Sequence, residues 1–217
     1  MEENSYQAVY REGRGEIVEK KSRFIATVVP VETEEEALAF VADMKKKYWD
    51  ARHNCYAYVI GGRQELQRCS DDGEPSGTAG RPMMEVLLRE GIHNAAVVVT
   101  RYFGGVLLGT GGLVRAYQKA VQEGLADCTL VTKQKGMLGT IETDYNGVGK
   151  IQYILGQNQV AVADTIYKED VCMQIVVSLE QKDRIEKELT EGTGGKAEII
   201  WEEEVVFAMI EKKLKIF

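Results

Sequence analysis

Two histidines, four cysteines without paired spacing, no excess of basic residues and no long apolar run rule out many familiar functions for this 217-residue chain. Cys55, Cys69, Cys128 and Cys172 form no CxxC, so a zinc site would need distant pieces to converge on His53 or His93, and no metal is expected. No apolar run approaches the roughly 20 residues that a membrane span needs, and the polar, acidic start MEENSYQAVY does not read as a leader. A cytoplasmic protein with reduced thiols and no membrane partner is the expectation. GxxxxGK[ST] is absent. The glycine series begun by Gly109 and Gly111 also lacks the glycine that a dinucleotide fingerprint requires three residues on, where Val114 stands. P-loop and Rossmann nucleotide binding are thereby disfavoured, and no cofactor is implied. Neither Ser70 nor Ser76 lies in a GxSxG elbow, so serine hydrolase chemistry has no support.

The net charge of −7 argues against a generally basic nucleic-acid binder, but it is unevenly spread. Residues 1–135 carry 18 Lys/Arg against 19 Asp/Glu, net −1, and residues 136–217 carry 9 against 15, net −6. The N-terminal part can therefore present a locally basic face.

Ser22–Pro30 is rich in β-branched residues and reads as a strand. Thr33-Glu34-Glu35-Glu36 has a capping-box pattern and opens a helix that ends near Lys45-Lys46-Lys47, acid first and base last, as the helix dipole favours. Cys55–Ile60 reads as a second strand, Pro82–Glu90 as a short helix, and the continuous apolar run Ala95–Thr100 as a strand covered on both faces. From Gly112 the apolar spacing becomes helical, so the order is strand, glycine loop, helix. Lys133-Gln134-Lys135-Gly136 is the most linker-like segment, which divides the chain at residues 1–135 and 136–217. Beyond it the pattern predicts a βαββαβ module, the ferredoxin-like split arrangement.

The strongest functional signal is the stretch Cys69–Tyr117, with nine glycines in 49 residues, in two segments: SDDGEPSGTAGRP (Ser70–Pro82) and TRYFGGVLLGTGGLVRAY (Thr100–Tyr117). In the first, Asp71, Asp72 and Glu74 surround a turn, while Ser76, Gly77 and Thr78 offer hydroxyls and backbone N–H groups. Two readings are open: an anion-binding loop, or carboxylates that accept bonds from their own backbone. In the second, Arg101 and Arg115 flank Gly104, Gly105, Gly109, Gly111 and Gly112, and a helix N-terminus with two arginines near it suits an anion. Those arginines could equally pair with Asp71, Asp72 or Glu74, making the two segments one structural knot. His53 and Asn54, beside Cys55, together with Tyr102 and Phe103, are further candidates. Aromatics interleaved with Arg52, Arg101 and Arg115 would stack RNA bases if exposed on a sheet, or form core if buried.

HNCYAYVI (His53–Ile60), SDDGEPSGTAGRPM (Ser70–Met83) and VVVTRYFGGVLLGTGGLVRAY (Val97–Tyr117) closely resemble the YigZ/IMPACT family. The resemblance extends over essentially the whole chain and implies an α+β protein: a ribosomal-protein domain-2-like domain followed by a ferredoxin-like βαββαβ domain like the fifth domain of elongation factor G. Eukaryotic relatives carry an additional N-terminal domain and regulate a translation-control kinase by competing for its activator. That partner is not expected here, where the sequence starts directly with the motif-bearing domain. Leu107-Leu108 departs from the family's usual small apolar residue plus Lys or Arg and lowers the local positive charge.

The expectation that follows is a translation-associated RNA or ribosome binder using the glycine-rich basic loop. The alternatives are an enzyme or binding protein for a small phosphorylated or carboxylated ligand in the same cleft, and a scaffold for a protein partner. No catalytic residue stands out.

Overall fold

In a computed structural model, residues 4–217 are described, and the chain is α+β with five helices. It divides into two compact units: Tyr6–Val131, and Thr132–Phe217 with residues 4 and 5.

The first unit is built on an antiparallel five-stranded sheet in the order β2-β3-β7-β4-β5. These strands are β2 (Gly13–Glu19), β3 (Ser22–Pro30), β4 (His53–Ile60), β5 (Leu66–Ser70) and β7 (Ala95–Tyr102). Before and beside them, β1 (Ser5–Arg11) pairs in parallel with the two-residue β6 (Ile92–His93), Gln7 opposite Ile92. Strand β7 explains the continuous apolar run. Its alternate residues Ala95, Val97 and Val99 join the core against α2 (Gly80–Arg89) and α3 (Thr110–Asp127), whereas Ala96 and Val98 face clusters that include Ala37, Val41 and Met44 of α1 (Glu34–Lys47). Helix α1 starts as its sequence indicates. Thr33 accepts from the Glu36 N–H (3.2 Å), and the Glu36 carboxylate accepts from the Glu32 N–H (2.7 Å).

The second unit has the βαββαβ order: β8 (Thr129–Thr143), α4 (Val148–Gln157), β9 (Ala161–Tyr167), β10 (Val171–Ser178), α5 (Lys182–Thr193) and β11 (Glu198–Ile210), with a further strand β12 (Lys213–Ile216). Its strands run β12-β11-β8-β10-β9, all antiparallel, and Ile141, Met173 and Ile175 of the sheet pack on Ile151 and Leu155 of α4 and on Ile185 and Leu189 of α5. The linker expected at Lys133–Gly136 is instead part of β8. The side chain of Lys133 is buried there, with its ammonium 4.1 Å from the centre of the Phe217 ring, so a residue that looks solvated in sequence is covered in the fold.

Candidate anion-binding site

The site grows from the core-facing row of β7. Arg101 follows Val97 and Val99 at strand spacing, so its side chain points the way theirs do, toward the ends of the helices rather than to solvent. Its cross-strand neighbours are Phe24 on β3 and His53 on β4. The guanidinium carbon lies 5.3 Å from the Phe24 ring centre and 5.6 Å from that of Phe103. A charge so placed needs a partner, and Glu74 supplies it: Arg101 Nη1 donates to Glu74 Oε1 at 2.6 Å, with both side chains buried. Tyr117 of α3 donates its hydroxyl proton to the same oxygen at 2.8 Å. The Cys55 thiol lies 3.0 Å from the Asp71 carbonyl oxygen and 3.3 Å from the Tyr117 hydroxyl. Burial pushes both Cys55 and Tyr117 far up from their ordinary ranges, with Glu74 adding to each, which favours the protonated thiol.

Arg101 and Glu74 line a pocket of about 610 Å³ together with Arg52, His53, Phe103, Leu107, Leu108, Gly109 and Thr110. The first turn of α3 opens on it. Gly109 precedes the helix at φ 73°, a left-handed conformation suited to glycine, and provides no side-chain cap. The first intrahelical bond is Leu113 N–H to Gly109 O (3.0 Å), so the N–H groups of Thr110, Gly111 and Gly112 have no acceptor among the described residues. The start of α2 is filled in the opposite way. Asp71 accepts from the N–H groups of Gly77 (2.8 Å), Ala79 (3.0 Å) and Gly80 (2.8 Å), so its own carboxylate is the anion at that helix end.

Several sequence candidates therefore serve the scaffold. Asp72 accepts from the Asn54 N–H (2.7 Å) and pairs with Lys45 (2.6 Å). Thr78 is buried and donates to the Pro75 carbonyl (2.6 Å); Ser76 and Gly77 are exposed and, like Asp71, Asp72 and Thr78, do not line the pocket. Asn54 accepts from the buried Thr100 hydroxyl (2.7 Å), and Tyr102 donates to Asp50 (2.8 Å). The Gly104 N–H donates to Ser22 Oγ (3.1 Å), and a Cβ at Gly104 would strike the Lys21 carbonyl group, so this glycine lets two backbones meet. Gly105 is exposed at φ 82° in the loop that follows and lies outside the pocket lining.

Arg115 pairs with none of Asp71, Asp72 or Glu74. It sits one turn deeper in α3 than the sequence pattern suggests and lines a smaller hollow with Lys20, Lys119, Leu108 and Gly112. The aromatic platform does not form as a set, because Tyr58 and Tyr117 are buried, Tyr56 and Tyr102 are half-buried, and Phe103 alone of these five is exposed, at 49%. Of the candidates, His53, Glu74, Arg101, Phe103 and Gly109 line the pocket. Arg52, singled out in the sequence only as a neighbour of the aromatics, lines it too, as does Thr110, which the sequence reading passes over although it stands between two marked glycines. Among the described residues no cluster of three His, Cys, Asp or Glu side chains could hold a metal, and no helix is long and apolar enough to cross a membrane.

Comparison with known proteins accounts for the motifs. Residues 20–125 match the family model described as the Impact N-terminal domain, and residues 141–196 match a domain of unknown function, DUF1949. The IMPACT family member YvyE of Bacillus subtilis is 43% identical over 90% of this chain and 90% of its own length. The chain belongs to the IMPACT family. The member YigZ of Escherichia coli is 35% identical over 85% of this chain and 92% of its own length. Protein IMPACT of Mus musculus is 38% identical over 43% of this chain but only 30% of its own length. Among solved structures, the crystal structure of an hypothetical protein, 32% identical, superimposes with a TM-score of 0.59 over 93% of this chain and 98% of that one. In this IMPACT family member the glycine segments lie within the Impact N-terminal match, so the pocket belongs to that domain.

Proposed function

We propose that the N-terminal unit binds a compact phosphate- or carboxylate-bearing ligand in the pocket at the start of α3. One observation carries this reading: the uncapped start of α3, where Gly109 and Thr110 line the cavity together with the buried Arg101 and the Thr110 N–H has no acceptor among the described residues. Phe103, Leu107 and Leu108 add an apolar wall suited to the organic body of the ligand. Bound ligand raises stability by RT ln(1 + [L]/Kd), so a thermal-shift series with phosphorylated and carboxylated compounds tests it directly. The reading predicts a rise in Tm with at least one such compound and none with its uncharged analogue; no rise with any anion contradicts it.

A second reading has its own support. Lys20, Arg115 and Lys119 gather with one carboxylate, Glu19, at a hollow that shares Leu108 with the pocket, so basic side chains lie on both sides of the 104–112 loop. RNA, free or within the ribosome, would meet phosphate contacts along this surface, which fits the translation-associated role that the family resemblance implies, in a cytoplasmic setting that four unpaired cysteines favour. The βαββαβ unit, read as ferredoxin-like, would then serve as a spacing or protein-facing element, because the net charge of residues 132–217, −4 (11 minus 15), repels nucleic acid. Arg115→Ala should reduce the log–log salt slope of RNA binding by roughly 0.7 to 0.9. An unchanged slope removes this reading and leaves the pocket proposal standing.

A further inference from the structure

We infer that the RNA of the second reading above, on which this step rests, is single-stranded, and that Trp49 stacks one of its bases while unpaired cations around the 104–112 loop hold its phosphates.

Helix α1 ends at its C-cap Tyr48, and the chain then turns. The Ala51 N–H donates to the Tyr48 carbonyl (3.0 Å), and the Asp50 carboxylate accepts from the Tyr102 hydroxyl (2.8 Å), so the turn is pinned to β7. Trp49 within it is nevertheless 82% exposed and has no ring or hydrogen-bond partner among the described residues. An open indole on a fixed turn is a stacking platform in place before any ligand arrives, which keeps the ordering cost of binding low. Trp49 stands three residues before Arg52, which lines the α3 pocket, and Leu107, also 82% exposed, lines that pocket with the half-exposed Phe103. The two most exposed large apolar side chains of the described residues thus belong to segments that wall one cavity of about 610 Å³, with room for a base swung out of its strand.

The cations on this side of the unit are uncommitted. Arg52, Lys20, Lys21, Arg115 and Lys119 are exposed and form no ion pair among the described residues, while Arg23, Lys45, Arg68 and Arg81 of the same unit each pair with a carboxylate. Lys20 and Lys21 hold φ 46° and 66° at the tip of the β2–β3 hairpin, a left-handed conformation usually left to glycine or asparagine. Arg115 reaches back along its helix: its Nη1 lies 3.5 Å from where a Cβ on Gly111 would stand. Its guanidinium therefore rests by the first turn of α3, whose Thr110 lines the pocket and whose Gly112 lines the hollow of Lys20 and Lys119. Glu19 is the one carboxylate lining that hollow. Basic groups follow one another from Arg52 past the start of α3 to Lys119, and a chain of phosphates meets more of them than one compact anion does. Stacking on Trp49 further requires a base outside a duplex, because a duplex offers this surface its phosphates alone.

The test titrates the full chain, wild type, Trp49→Ala and Trp49→Phe, with an oligouridylate of about 12 nucleotides and with a blunt RNA duplex of the same length, at several salt concentrations. Wild type is expected to bind the single strand at least about tenfold more tightly than the duplex. W49A is expected to lose about 5- to 100-fold on the single strand with its log–log salt slope unchanged, and W49F to recover most of that loss. Unchanged duplex binding and an unchanged Tm show that W49A is folded. Affinities for single strand and duplex within about threefold in wild type, or a W49A that binds the single strand as wild type does, overturn the stacking inference and leave the RNA reading to the Arg115→Ala slope. If neither RNA binds, the RNA reading falls and the single-strand inference with it.

Discussion

Arg101 and Glu74 form a buried ion pair whose single loss strands a charge. Glu74→Ala should lower unfolding free energy by about 3–5 kcal/mol, and Arg115→Ala, on an exposed position, by no more than about 0.5 kcal/mol, both measured by urea denaturation. Equal effects would mean that Arg101 is not held as described. The position of Arg101 was legible in principle, because it continues the alternation of Val97 and Val99 on one face of β7; the partner was not, since nothing local chooses Glu74 over Asp71 or Asp72. That choice depends on the path of the 70–80 loop, in which Asp71 is drawn to N–H groups six to nine residues ahead. Gly104 behaves similarly: its presence was obvious, its reason was not, because the backbone it meets at Lys21 lies on the β2–β3 turn. Gly104→Ala should cost about 1–3 kcal/mol in the same assay through overpacking against that backbone.

At the scale of elements, helices α2 and α3 begin in opposite ways. Asp71→Ala removes the carboxylate that serves three N–H groups at the start of α2 and should cost about 0.5–2 kcal/mol, with faster amide exchange confined to residues 77–82. Loss of protection elsewhere instead would contradict the capping role. The strong periodic elements, α1, β3, β7 and the βαββαβ series, follow from pattern alone. Strand β2 does not. Its sequence GRGEIVE alternates weakly and lies at the sheet edge, so only pairing with β3 reveals it as a strand. The segment Lys133–Gly136 shows the reverse, a polar run that reads as a linker but continues β8.

The molecule as a whole has acid concentrated in its C-terminal part, while the cysteine and tyrosine groups whose protons burial holds most strongly, Cys55, Tyr117 and Cys128, lie in the N-terminal unit. Burial raises Cys55 and Tyr117 far above their usual ranges and pushes Cys128 up to about 11. In each case the unfolded chain releases its proton first, so the stability these groups contribute is full below the unfolded thiol range of about 8.5 and is lost as pH rises above it. The urea midpoint should therefore fall between about pH 8 and about pH 11, more steeply in wild type than in Cys55→Ala; a flat or rising profile would contradict the burial of these groups. The central claim, that the start of α3 is an anion site, is tested most directly by amide NMR during a titration with phenyl phosphate. The account predicts the largest shifts at the amides of Gly109 and Thr110 at the start of α3. Saturation of binding with those signals unmoved, or shifts confined to the C-terminal unit, would contradict it.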